Sequence, residues 1–65
     1  MKITLNGESR QISSSNLSDL LEECGHEEQL VATAVNGEFV PIDERREQML
    51  SEEDRIEILV PMQGG

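Results

Sequence analysis

Ile3 and Leu5 lie on one side of Met1–Leu5, and Lys2 and Thr4 on the other. A period of two marks a half-buried strand. Asn6-Gly7 then predicts a tight hairpin, because both central positions of a type I′ turn take positive φ. Glu8–Ser13 is the return strand, polar except for Ile12, which suits a sheet edge. Ser13-Ser14-Ser15-Asn16 offers helix-capping side chains in a row. Leu17, Leu20, Leu21 and Cys24 then recur at i, i+3, i+4 and i+7, one apolar stripe of a helix. Asp19 stands in its first turn, where negative charge suits the dipole, and Gly25 is the expected stop.

His26–Gln29 is a polar connection, and the apolar, partly β-branched Leu30–Val35 is a third strand. Asn36-Gly37 repeats the hairpin signal, and Glu38–Val40 returns until Pro41, which cannot donate to a ladder. Ile42–Leu50 is charged and irregular, with room for a short helical turn that buries Met49 or Leu50. Ser51–Asp54 is a turn. Arg55–Val60 is the last strand, with Ile56, Ile58 and Val60 inward and Arg55, Glu57 and Leu59 outward. Residues 61–65 carry no pattern and end in two glycines, so they are expected to form a flexible tail. The expectation is an α+β domain over 1–60, a mixed sheet of four to five strands on one main helix, followed by the tail at 61–65. The well-patterned first and last strands belong at the centre, and the second and fourth outside.

A 65-residue chain is one domain with a thin core, since a domain of this size buries only about 60% of its unfolded surface. That leaves little room for an enclosed catalytic cleft. Fourteen acidic residues against five basic ones give a net charge of −9, which repels phosphate backbones and anionic lipid and suits steering toward a basic protein surface. Neither nucleic acid nor membrane is an expected partner. No apolar run is long enough to span a bilayer, and no signal-peptide pattern opens the chain. The lone Cys24 excludes an intramolecular disulfide framework, so a cytoplasmic location is expected.

Catalytic and metal constellations are missing. Cys24 and His26 are too few for a zinc site, and Cys24 is better used to complete the helix stripe. The single His stands on a connection, away from any nucleophile. Glu22-Glu23, Glu27-Glu28 and Glu52-Glu53 lack the burial that would tune a carboxylate for acid–base work. The glycines at 7 and 37 serve turns rather than a phosphate cradle. No cofactor is expected on this chain, and it is not expected to be an enzyme.

The candidate chemistry lies in Gly64 and Gly65. Without a Cβ, glycine backbone can thread a narrow channel and bring its carboxylate to a nucleotide. A free carboxylate needs a leaving group before its carbon becomes electrophilic, most simply AMP derived from ATP, and another protein must supply that machinery. Ordering residues 61–65 costs roughly 5–10 kcal/mol of backbone entropy, so such a partner must also grip the domain body. Leu59 beside the tail root and Phe39 on the fourth strand are the candidate contacts, with Val40 the alternative to Phe39 because adjacent strand residues face opposite ways.

The element order and the segments Met1–Glu8, Val35–Pro41 and Arg55–Gly65 resemble the ubiquitin-like β-grasp sulfur carriers, and more closely the ThiS family of thiamine biosynthesis, over essentially the whole chain. Ile42 differs from the basic residue many relatives carry after Pro41. The resemblance implies that an E1-like, ThiF-type adenylyltransferase uses ATP and Mg to adenylate the Gly65 carboxylate. Sulfur from a cysteine desulfurase relay would then give a thiocarboxylate, and a ThiG-type thiazole synthase would take that sulfur. Gly65 would bear the sulfur, with Gly64, Gln63 and Met62 read by the partners. Related carriers of molybdopterin or cysteine synthesis, a ubiquitin-like protein modifier, and a noncovalent interaction module are the alternatives. Met62-Gln63 before the glycines favours the thiamine branch.

Overall fold

The computed structural model describes residues 1–61. Five strands, Lys2–Leu5 (β1), Glu8–Gln11 (β2), Ala32–Val35 (β3), Glu38–Val40 (β4) and Arg55–Leu59 (β5), form one mixed sheet in the order β2-β1-β5-β3-β4. β5 runs parallel to β1 and antiparallel to β3, and two hairpins supply the edges. The last strand in the chain is therefore the middle strand of the sheet. Asn6 and Gly7 have φ of 51° and 87°, and Asn36 and Gly37 have 52° and 86°, as the Asn-Gly signals require.

The helix Leu17–Glu23 (α1) covers one face. The Asn16 side chain caps it by accepting from the Asp19 N–H at 2.8 Å. It ends where Gly25 takes a φ of 81°, which lets the Gly25 N–H reach the Glu22 carbonyl and the His26 N–H reach that of Leu21. Those two bonds are a Schellman cap. Leu17, Leu20 and Leu21 are fully buried against Ile3, Ile12, Val31, Val35, Val40, Leu50, Ile56 and Ile58, and the partly buried Cys24 packs on the edge of this core.

The Glu23 carboxylate closes the entry loop. It accepts from the Ser14 hydroxyl and from the Ser13 and Ser14 N–H groups at 3.2 and 3.1 Å. The Ser14 hydroxyl bond, followed by the Ser13 amide, holds its pKa below the ordinary glutamate value. A lowered folded-state pKa stabilises fully above the unfolded value, and the contribution disappears as pH falls through the folded one. Glu23→Gln is therefore expected to be less stable than wild type at pH 7, with the gap closing below about pH 4. Urea midpoints at the two pH values check this, and a gap that does not depend on pH would contradict it.

Two details depart from the sequence reading. Leu30 does not begin β3; it closes a 3-10 turn, Glu28–Leu30, in which its N–H reaches the Glu27 carbonyl, and its side chain is exposed. Val60 does not join Ile56 and Ile58 inside. The register ends at the Ala32–Leu59 pair, so no strand flanks Val60, which is 61% exposed. As expected, the segment after Pro41 makes a short helical turn, the 3-10 helix Ile42–Glu47, and of the alternatives Met49 or Leu50 it is Leu50 that is buried. The Leu50 N–H bonds the Ser15 carbonyl and the Leu17 N–H bonds that of Gln48, and this pairing ties the segment to the start of α1.

Arg45 on that 3-10 helix is only 1% exposed. Its Nη1 and Nη2 donate to the Glu28 and Val31 carbonyls, each at 2.6 Å, and its Nε to the Thr33 hydroxyl at 3.1 Å. That hydroxyl in turn donates to the Val40 carbonyl at 2.8 Å. One guanidinium thus joins the Glu28–Leu30 turn, β3 and the 3-10 helix, segments that share no ladder.

Candidate functional site

Residues that precede the chain's end stand on the best-anchored strand. β5 has a partner on each side, and Ile56 and Ile58 point into the core. Alternation then forces Glu57 and Leu59 onto the opposite face of the sheet, the one α1 does not cover. Leu59 is 66% exposed and Phe39 69%. Val40, the alternative contact, is buried.

Leu59 and Phe39 are brought together by pairing through β3. Leu59 is opposite Ala32, and Phe39 is opposite Ala34, which also faces Glu57. The two alanines are short, so the longer side chains on both flanks stand above them. The result is a mostly apolar hollow of about 110 Å³ lined by Ala32, Thr33, Ala34, Phe39, Glu57 and Leu59. Leu59 and Phe39 were individually legible in the sequence, but the alanine floor between them was not. Its signal is a pair of small residues at i and i+2 on the open face of a central strand.

The end of β5 is fixed from the other side by Asn6. Its N–H donates to the Ile56 carbonyl at 2.9 Å, its side-chain Nδ2 donates to the Ile58 carbonyl at 3.1 Å, and its Oδ1 accepts the Ile58 N–H at 2.9 Å. Val60 and Pro61 follow, both exposed. Met62, Gln63, Gly64 and Gly65, and the expectation of a flexible tail, lie outside the described residues. Among the described residues no group of acidic, His or Cys side chains could hold a metal ion, and no helix is long and apolar enough to cross a membrane.

A mixed five-stranded sheet with its final strand at the centre, one covering helix and an apolar open face defines a ubiquitin-like β-grasp domain. Two solved structures share it. Both are of a thiamine biosynthesis protein (ThiS) from Geobacter metallireducens, each 25% identical to this chain and each covering all of it. The crystal structure aligns with a TM-score of 0.84 over 100% of its own chain, and the solution NMR structure with 0.82 over 88%. A search of curated proteins finds no match. The ThiS family model matches residues 3–65, so the chain belongs to the ThiS family, the small sulfur carriers of thiamine biosynthesis.

Proposed function

We propose that this carrier holds its sulfur on Gly65, as a thiocarboxylate at the end of the chain. An E1-like, ThiF-type adenylyltransferase binds ATP and Mg. The Gly65 carboxylate attacks the α-phosphorus, and pyrophosphate leaves. The outer sulfur of a persulfide from a cysteine desulfurase relay adds to the acyl carbon, and AMP leaves with its electron pair. A thiol reductant then cleaves the resulting acyl disulfide, which frees the thiocarboxylate and leaves the new disulfide on the relay side. The product differs from the starting carboxylate by one sulfur in place of one oxygen. It stores sulfur as a nucleophile that a ThiG-type thiazole synthase can use without free sulfide. Gly64 keeps the approach narrow, and Gln63 and Met62 give the partners side chains to read. All of this takes place in the cytoplasm, and the chain itself is a cosubstrate rather than a catalyst.

The observation that carries this reading is the family match, which runs through to Gly65 from a root on the central strand. The hollow at Phe39 and Leu59 supports it, because a partner that orders the tail must recover the entropy through contacts with the body. An apolar side chain of the activating enzyme seated on Ala32 and Ala34 would supply them, with basic groups around it answering the carrier's net charge of −9.

Reconstitution tests the proposal. With a ThiF-type enzyme, ATP, Mg and a sulfur source, intact mass is expected to rise by about 16 Da, the exchange of oxygen for sulfur at an activated acyl carbon. An unchanged mass under conditions that convert a control carrier would count against it. In the same assay Leu59→Glu is expected to raise the KM for the carrier about 30-fold, the loss of roughly 2 kcal/mol at a central contact. Its unfolding midpoint stays near wild type, because Leu59 is exposed.

A further inference from the structure

Asn6 has more to do than its turn demands. In a parallel pair, each residue facing the neighbour bonds it through its own N–H and through the carbonyl that follows. β1 keeps that pattern with β5 through the Thr4 N–H to Asp54 and the Asn6 N–H to Ile56, both at 2.9 Å. The chain then turns away into the hairpin, and Ile58 would lose its partner on that side. The Asn6 side chain replaces the missing strand: Oδ1 stands where a strand carbonyl would accept the Ile58 N–H, and Nδ2 where the next amide would donate to the Ile58 carbonyl. A primary amide carries the same acceptor and donor as a peptide group, so one side chain lengthens the ladder toward the end of β5.

Asn36 provides a built-in comparison. It occupies the same position of the other Asn-Gly turn, with φ of 52° against 51° at Asn6. Its Oδ1 accepts the Arg55 N–H at 2.9 Å and its Nδ2 donates to Asp54 Oδ1 at 3.0 Å. Both asparagines therefore make two side-chain bonds around β5, Asn36 at its start and Asn6 at its end. Only Asn6 holds the residues that lead to Leu59 and the chain's end.

Resting on the carrier role proposed above, we infer that Asn6 is a positioning residue for activation of Gly65. Its side-chain amide pins Ile58, so that Leu59 and the chain beyond it start from a fixed point when the activating enzyme docks. Without the amide, the end of β5 is held from the β3 side alone. The enzyme must then order it on binding, which appears in KM rather than in kcat.

The test compares Asn6→Gly with Asn36→Gly. Glycine keeps each turn, since it takes positive φ without strain, and removes only the amide. Thermal midpoints of the two variants are expected to fall by similar amounts. The KM for the carrier in thiocarboxylate formation is expected to rise about fivefold to tenfold in Asn6→Gly, the factor that roughly one net hydrogen bond is worth. It stays at the wild-type value in Asn36→Gly, and kcat is unchanged in both. Equal KM values for the two variants, or a loss confined to kcat, would overturn the role. Asn6→Asp keeps the acceptor and the turn but faces a carboxylate to the Ile58 carbonyl, and it serves if the glycine variant does not fold. Backbone ¹⁵N relaxation at Leu59 and Val60 is read on the same samples, with greater mobility expected in the Asn6 variant only. If wild type gains no sulfur, the carrier role fails. If Leu59 and Val60 are equally mobile in both variants, the anchoring by Asn6 fails.

Discussion

Replacing Arg45 with alanine is expected to cost about 3 kcal/mol or more, most of what a domain this small has to lose. A buried hydrogen bond to a charged group contributes roughly 1.5–3 kcal/mol, and each orphaned carbonyl carries its own desolvation cost. Arg45 makes two bonds of 2.6 Å to main-chain carbonyls and one to Thr33, and no carboxylate is among these partners. Alanine leaves the Glu28 and Val31 carbonyls without that donor and opens a void between the 3-10 helix and β3. A single core in a chain below about 70 residues rarely supplies more than 3–5 kcal/mol, so the variant will be largely unfolded in mild urea. Arg45→Met, which fills much of the volume, loses less, and Arg45→Lys, which keeps the charge but not the three-way fork, falls between. Urea midpoints rank the three. A drop under about 1 kcal/mol for the alanine variant would mean that water replaces the guanidinium at little cost.

An uncleaved affinity tag placed after Gly65 will abolish the gain of sulfur, whereas the same tag placed before Met1 will leave it. The first converts the reacting carboxylate to an amide, which cannot attack ATP and has no adenylate to offer. The second acts on a site where little depends on the free amine. The Met1 ammonium donates to the Ile12 carbonyl at 3.1 Å, and a peptide N–H can make the same bond. Intact mass and pyrophosphate release read both proteins. Sulfur transfer to a carrier with its C-terminal tag intact would show that the reacting group is elsewhere.

Most of the sheet was legible because its signals are local. Alternation set the faces of β1 and β5, Asn-Gly placed both hairpins, and the Leu17–Cys24 stripe with Gly25 bounded the helix. The central position of β5 followed from its pattern. Within the polar stretch from Ile42 to Leu50 the short helical turn was legible but the burial of Arg45 was not, for a physical reason. The stretch contains Arg45 and Arg46 side by side, one fully buried and one exposed, and nothing local distinguishes them. Arg45 goes inside because carbonyls from residues 28 and 31 happen to converge there, a fact of tertiary structure. Val60 was misplaced because a strand pattern in sequence can outrun its partners; its neighbour β3 had already ended at Ala32.

The candidate site divides in the same way. Phe39 and Leu59 were readable as outward-facing residues, whereas the hollow between them depends on register, which brings Ala32 and Ala34 between β4 and β5. Asn6 was readable as a turn residue. Its second task, completing a ladder with a residue 52 positions away, has no local signature.

Fragmentation of the sulfur-loaded carrier by mass spectrometry addresses the central proposal most directly. The added mass should be about 16 Da and lie within the C-terminal fragment that contains Gly64-Gly65, as acyl substitution at Gly65 demands. A gain of about 32 Da on the fragment that contains Cys24 would instead be a persulfide on the only thiol, and the C-terminal mechanism would be wrong.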